Sequence, residues 1–276
     1  MHPLGAHSHL FRGSPTAVAA QFRQHGLTCV QLTPGFPDLS FQQPGEVTPE
    51  RCRRAAEPFR AAGIEVVCLA GAGDLMDPDL DRRHRGILRW HALIRCCREF
   101  GTDRVVAETG SLSPRSPWAP HPPNRLPEAW TELRLIVAEA LRLAADHGVT
   151  VLLKPGNTHV LATAEDAVRL REELNHPNLG FVLDPATFLL ESRFDELSSD
   201  LRRLCEQLGP WAPVVHAKDL RPGAHGAATP RAGRGVLDYG LLFPLLRRFQ
   251  PRAAVILEHL RPEEVAESKA YVERFL

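Results

Sequence analysis

Lysine is nearly missing from this chain: three stand among its 276 residues, at positions 154, 218 and 269, and every other basic residue is arginine. Net charge is missing too, with 33 basic against 33 acidic residues. That balance disfavours a bare electrostatic grip on nucleic acid or on an anionic membrane. No apolar run approaches the roughly 18 residues of a membrane span, and Met1-His2-Pro3-Leu4 does not read as a signal peptide. Six cysteines, at 29, 52, 68, 96, 97 and 205, form no C-x-x-C pair and no disulfide framework. The expectation is a set of reduced thiols in a cytoplasmic protein, with the adjacent Cys96 and Cys97 serving packing within a helix.

What is present is ordinary for a soluble globular chain: 43% apolar and 24% charged residues. The length suits an α/β barrel, which fills roughly 250 residues as a single domain. Short apolar runs alternate with helical patterns along the whole chain: Leu4–His9, Cys29–Thr33, Ile64–Ala70, Arg104–Thr109, Thr150–Lys154, Gly180–Asp184, Val214–Asp219 and Ala254–Glu258. Helical periodicity marks Trp130–His147 and Ala164–Leu174. Ser14-Pro15 and Thr48-Pro49 place a capping hydroxyl before a proline at the first helical position. Each strand-to-strand step is about 36 residues, the size of a βαβ unit. Eight such units predict a single (β/α)8 TIM barrel over residues 1–276.

The predicted connections are asymmetric. Helix-to-strand links are short and end in glycine at Gly26, Gly63, Gly101 and Gly148. Strand-to-helix links are long, as in 33–49, the proline-rich 109–127 and the glycine-rich 220–240, which includes Gly223 and Gly226. Long loops in a compact domain are usually functional, and in a barrel they crowd the C-terminal face, where active sites sit.

Ionisable residues close the later strands: Glu108, Lys154, Asp184, His216 and Glu258. Alternate strand residues point into a barrel, so these five are expected to converge on its mouth. Lys218, two residues beyond His216, shares its direction. A carboxylate–imidazole–carboxylate set such as Asp184, His216 and Glu258 is a common divalent-metal ligand set.

The segments Val151-Leu-Leu-Lys-Pro-Gly-Asn157, Gly180-Phe-Val-Leu-Asp-Pro-Ala186, Val215-His-Ala-Lys-Asp219, Gly233-Arg-Gly-Val-Leu-Asp-Tyr239 and Val255-Ile-Leu-Glu-His259 resemble the xylose isomerase-like TIM barrel family, in particular its sugar phosphate isomerase/epimerase branch. The resemblance runs nearly end to end. It implies a small sugar or polyol substrate and one divalent ion (manganese, magnesium, cobalt or zinc). In the family that ion is held by a Glu on strand 5, an Asp on strand 6, a His on strand 7 and a Glu on strand 8. Asp184, His216 and Glu258 match the last three as metal ligands. Lys154 stands where the family has Glu, which predicts weak or absent metal binding.

The family reaction moves a proton next to a carbonyl, which implies catalytic roles for Glu258 and Lys154 and substrate contacts for His7, Glu108, Asn157, Asp219 and Arg234. Asp219 is also expected to orient His216, Arg231 to join Arg234 around a phosphate, and Trp118 to wall the site. Three chemical readings of Lys154 stay open, in this order. It is charged and paired with Glu258 or Asp184; or it is a neutral base beside a three-ligand metal; or it is a Schiff-base nucleophile. Two other functions compete. His7-Ser8-His9 resembles the His-x-His of metal-dependent hydrolases, and the missing Glu suits a silent ligand-binding barrel. A barrel endonuclease is discarded, because Gln31 and Cys68 stand where it needs histidines. Apolar helix faces are compatible with a homodimer.

Overall fold

The computed structural model describes residues 2–222 and 227–276. The glycine-rich character expected of the last long loop therefore rests partly on Gly223 and Gly226, which lie outside the described residues. Eight parallel strands close into a barrel in sequence order. They are β1 (Leu4–His7), β2 (Cys29–Leu32), β3 (Glu65–Ala72), β4 (Arg104–Glu108), β5 (Thr150–Lys154), β6 (Leu179–Leu183), β7 (Val214–Ala217) and β8 (Ala254–Leu257). The register closes through Leu4 opposite Val255 and Gly5 opposite Ile256.

Helix boundaries follow the local chemistry. Ser14 and Thr48 accept the N–H of Ala17 and Arg51 as N-caps, each with proline at the first helical position. Thr163 and Asp166 form a reciprocal capping box at the start of Ala164–Leu174. Gly26, Gly63, Gly101 and Gly148 all have positive φ, as the helix-to-strand turns require. The first strand stops at His7, two residues short of the expected end, because Ser8–Leu10 form a single 3-10 turn. Cys96 caps the helix Leu80–Arg95 and Cys97 opens a 3-10 turn, and both are buried.

Two cores result. A large one lies between the barrel and its helices. A small one holds Cys29, Val67, Val106, Leu152, Val182, Val214 and Ile256. The residue two positions further along six of these strands carries a polar group: Gln31, Glu108, Lys154, Asp184, His216 and Glu258. The period of two therefore fills the barrel with apolar side chains and lines its C-terminal mouth with polar ones. Gly5 belongs to the same inward set, and a Cβ there would lie 1.9 Å from the Cys29 carbonyl oxygen. Only glycine permits that approach of β1 to β2. Among the described residues no helix is long and apolar enough to cross a membrane.

Candidate active site at the barrel mouth

Lys154 ends β5 at 5% exposure, with its Nζ 3.4 Å from Glu258 Oε1, 3.5 Å from Glu108 Oε1 and 3.6 Å from Asp184 Oδ2. Lys218, equally buried just past β7, bridges Asp184 Oδ2 and Glu258 Oε2 at 2.8 Å each. Two of the three lysines in the chain thus meet over the same two carboxylates.

Asp184 caps the short helix Pro185–Phe188, accepting the Thr187 N–H at 3.2 Å and its hydroxyl at 2.9 Å. Glu258 follows β8 and is the hub of the mouth. Its Oε1 also faces His216 Nδ1 at 3.1 Å and His7 Nε2 at 3.2 Å. His216 Nε2 pairs with the Gln31 side-chain oxygen at 2.8 Å.

Burial would lower the Lys154 ammonium, but Glu258, Asp184 and Glu108 outweigh it and hold it well above the ordinary lysine range. Burial likewise opposes ionised Glu258, yet His216, Lys154 and Lys218 keep it far below the usual carboxylate range. Asp184 is lowered in the same way, burial being overcome by Lys218 and then Lys154. Glu108 goes the other direction: burial raises it, and Lys154 only partly compensates. His7 is lowered by burial against the pull of Glu258. The site therefore holds two carboxylates locked as anions and one, Glu108, that takes up a proton more readily than an ordinary carboxylate.

The mouth opens into a cavity of about 850 Å³ bordered by His7, Glu108, Trp118, Lys154 and Glu258, with Arg12 at its edge. Trp118, 46% exposed in the proline-rich loop, has its ring 5.6 Å from Lys154 Nζ and packs at a tilt against the His159 ring, 4.5 Å between centroids.

The structure brings together His7, Glu108, Lys154, Asp184, His216 and Glu258. It does not bring Asn157, Asp219 or Arg234 to them. Asn157 donates to Glu191 Oε1 at 3.3 Å in a neighbouring cleft. Asp219 is fully buried, and its carboxylate accepts the backbone N–H groups of Leu220, Gly233 and Leu237 at 2.9 to 3.0 Å. It ties down the loop after β7 and does not touch His216. Arg234 is exposed and pairs with Glu267 at 3.1 Å, and Arg231 pairs with Glu264 and Glu267 beside it, so neither is free to hold a phosphate at the mouth. These three side chains leave β-strand periodicity behind, and the loop or helix that follows decides where each one goes.

Gln31 is the site residue that sequence reasoning passed over as a partner. Its signal was readable: a polar residue inside the otherwise apolar run Cys29-Val30-Gln31-Leu32, on the inward parity of Cys29. His9, the second half of the His-x-His pattern, turns its Nδ1 to Thr33 Oγ1 at 3.2 Å and packs its ring on that of His7, 4.8 Å between centroids, at the wall of the same cavity. Among the described residues, the group of histidines and carboxylates close enough to share an ion is His7, His216 and Glu258, with candidate ligand atoms within 4.8 Å of one another.

A search of curated proteins by sequence finds no match. Solved structures match over nearly the whole chain. A 3-keto-D-glucoside 4-epimerase from E. coli superposes with TM-score 0.72 at 19% identity, covering 99% of this chain and 100% of that one. A xylose isomerase-like TIM barrel protein from Mycobacterium smegmatis in complex with magnesium gives 0.73 at 16%, covering 100% and 96%. A probable 3-DHS dehydratase from Bacillus anthracis gives 0.71 at 17%, covering 99% and 98%. At these identities the likeness is one of fold. Residues 19–275 match the family described as Xylose isomerase-like TIM barrel, and with the closed eight-stranded barrel and its polar mouth, the chain belongs to that enzyme family.

Proposed function

We propose that this protein is an isomerase or epimerase that moves a proton next to the carbonyl of a sugar or related polyhydroxy compound. The observation that carries the reading is Glu108: a half-buried carboxylate with a raised proton affinity, facing the cavity beside a fixed ammonium. A group of that kind is suited to general acid–base work. Glu258, expected in a catalytic role, is engaged by Lys154, Lys218, His7 and His216, which supports a charge-holding part for it and leaves the proton transfer to Glu108.

Glu108 takes the proton from the carbon beside the carbonyl. Lys154 Nζ, fixed between Glu108 and Glu258, donates to the oxygen on which enediolate charge develops. Trp118 offers an apolar face to the C–H side of the sugar and limits water. Return of the proton by Glu108 to the neighbouring carbon gives isomerisation, whereas epimerisation takes its new proton on the opposite face from water in the open cavity, with Glu108 passing the abstracted proton to solvent. A substrate phosphate would meet Arg12 at the cavity edge. Six unpaired, buried cysteines suit a reducing compartment, the cytoplasm.

Family relatives such as the magnesium-bound barrel raise the question of a resident ion. The donor set of this chain does not fit one. Asp184 Oδ2 and both oxygens of Glu258 already contact ammonium groups, and the fourth family position is itself an ammonium. No step above uses a metal. The same geometry speaks against a hydrolase with a carboxylated lysine and against a Schiff base, since both need a neutral, accessible amine at Lys154.

The test is solvent exchange. Aldoses, ketoses and their phosphates are incubated with the protein in D2O, and deuterium next to the carbonyl is followed by NMR. Exchange is expected with at least one of them, and Glu108→Gln should lose about 10²–10⁴-fold of it. Absence of exchange across the whole set would overturn the reading in favour of a binding barrel.

A further inference from the structure

We infer that Lys154 and Lys218 together replace the divalent ion of the family, so that the barrel works as a metal-free catalyst built on a pair of ammonium groups. The inference rests on the reading of this mouth as the substrate site.

Three observations carry it. First, the pair contributes two positive charges, the charge of the ion it replaces. Second, both Nζ atoms lie within 3.6 Å of Asp184 Oδ2, and each contacts an oxygen of Glu258. A divalent ion bonded to those oxygens at about 2.0–2.2 Å would sit against two ammonium groups at their own contact distance. Third, the lysines are held there by the rest of the mouth. Both are almost fully buried, Glu108 flanks Lys154, and the Tyr239 hydroxyl donates to the Lys218 carbonyl at 3.1 Å. The cluster of His7, His216 and Glu258 does not escape the argument, because its only carboxylate is the one both lysines grip.

The substitution changes how substrate is held. An ion chelates two adjacent oxygens of a sugar in a fixed geometry, whereas ammonium groups donate hydrogen bonds and tolerate more varied oxygen spacing. The charge is also covalently tethered, so chelators cannot remove it.

The experiment measures metal without substrate. The native chain is purified from medium supplemented with manganese, zinc, cobalt and magnesium, analysed for elemental content, and titrated with Mn2+ by electron paramagnetic resonance. The expected result is far less than one ion per chain and no saturable Mn2+ binding, with one Mn2+ site appearing in Lys154→Glu. If Lys154→Glu does not fold, as judged by circular dichroism, Lys154→Gln carries the comparison: a gain in Mn2+ binding over the native chain supports the inference, and no gain overturns it. A stoichiometric ion in the native chain after dialysis against chelator also overturns it, as does equal Mn2+ binding by the native chain and a folded Lys154→Glu. Neither readout involves turnover, so a bound ion would refute the lysine pair and leave the isomerase reading standing. Missing solvent exchange would do the reverse.

Discussion

Removing Lys154 is the sharpest perturbation available, because it strips one cation from three carboxylates without touching the backbone. Lys154→Met keeps most of the side-chain volume. Breaking a buried ion pair from one side costs about 3–5 kcal/mol, since the partners are left uncompensated. Here Lys218 still holds Asp184 and Glu258 at 2.8 Å, and the Glu108 side chain is 27% exposed and can take up a proton. The low end of the range, about 3 kcal/mol at pH 7, is therefore expected. For a chain of this size that corresponds to a fall of about 6–12 °C in Tm.

The pH dependence gives a second handle. Asp184 and Glu258 have folded values below their unfolded ones, so their contribution is present above the ordinary carboxylate range and is lost as pH falls through the folded values. Without Lys154 that depression shrinks. The native and variant stabilities should then begin to converge as pH falls below about 4, where the unfolded carboxylates protonate, and meet only below the depressed folded values. Urea unfolding midpoints at pH 7 and across the acid range provide the assay. A variant within about 0.5 kcal/mol of native at pH 7, or a difference that widens on acidification, would refute the charged-lysine account.

Three further outcomes follow from the same geometry. Burial pushes the Asp74 carboxyl up to about 6, so the native state loses stability as pH rises from the ordinary aspartate value through that one. Asp74→Asn keeps both backbone N–H bonds, from Met76 and Ser111, and should stabilise by about 1 kcal/mol above pH 6 and by nothing below pH 4, read from Tm against pH. Asp219→Ala strands three backbone donors and should cost about 3 kcal/mol or more. Hydrogen exchange should show lost protection at the Gly233 and Leu237 amides, and unchanged protection there would contradict the role assigned to it. Gly5→Ala drives a Cβ into the Cys29 carbonyl, and a cost above about 3 kcal/mol should leave little soluble protein. Native-like yield and Tm would show that β1 can shift.

Much of this protein was legible in its residues taken one after another. Strand and helix alternation, the Ser14 and Thr48 caps and the four glycine turns are local chemistry, so a linear reading finds them. The period of two also gave the inward direction of Glu108, Lys154, Asp184, His216, Lys218 and Glu258, while the first-ranked reading of Lys154 as a charged, paired group followed from the family resemblance. The period stops where strands stop. Asn157, Asp219 and Arg234 lie beyond strand ends, and their directions are set by loop packing against Glu191, the backbone near Gly233, and Glu267. The division of labour between the glutamates was beyond sequence altogether. Glu258 lies 104 residues from Lys154, 40 from Lys218 and 251 from His7. A carboxylate's proton affinity depends on the charges around it and on its access to water, and only closure of the barrel decides which neighbours those are.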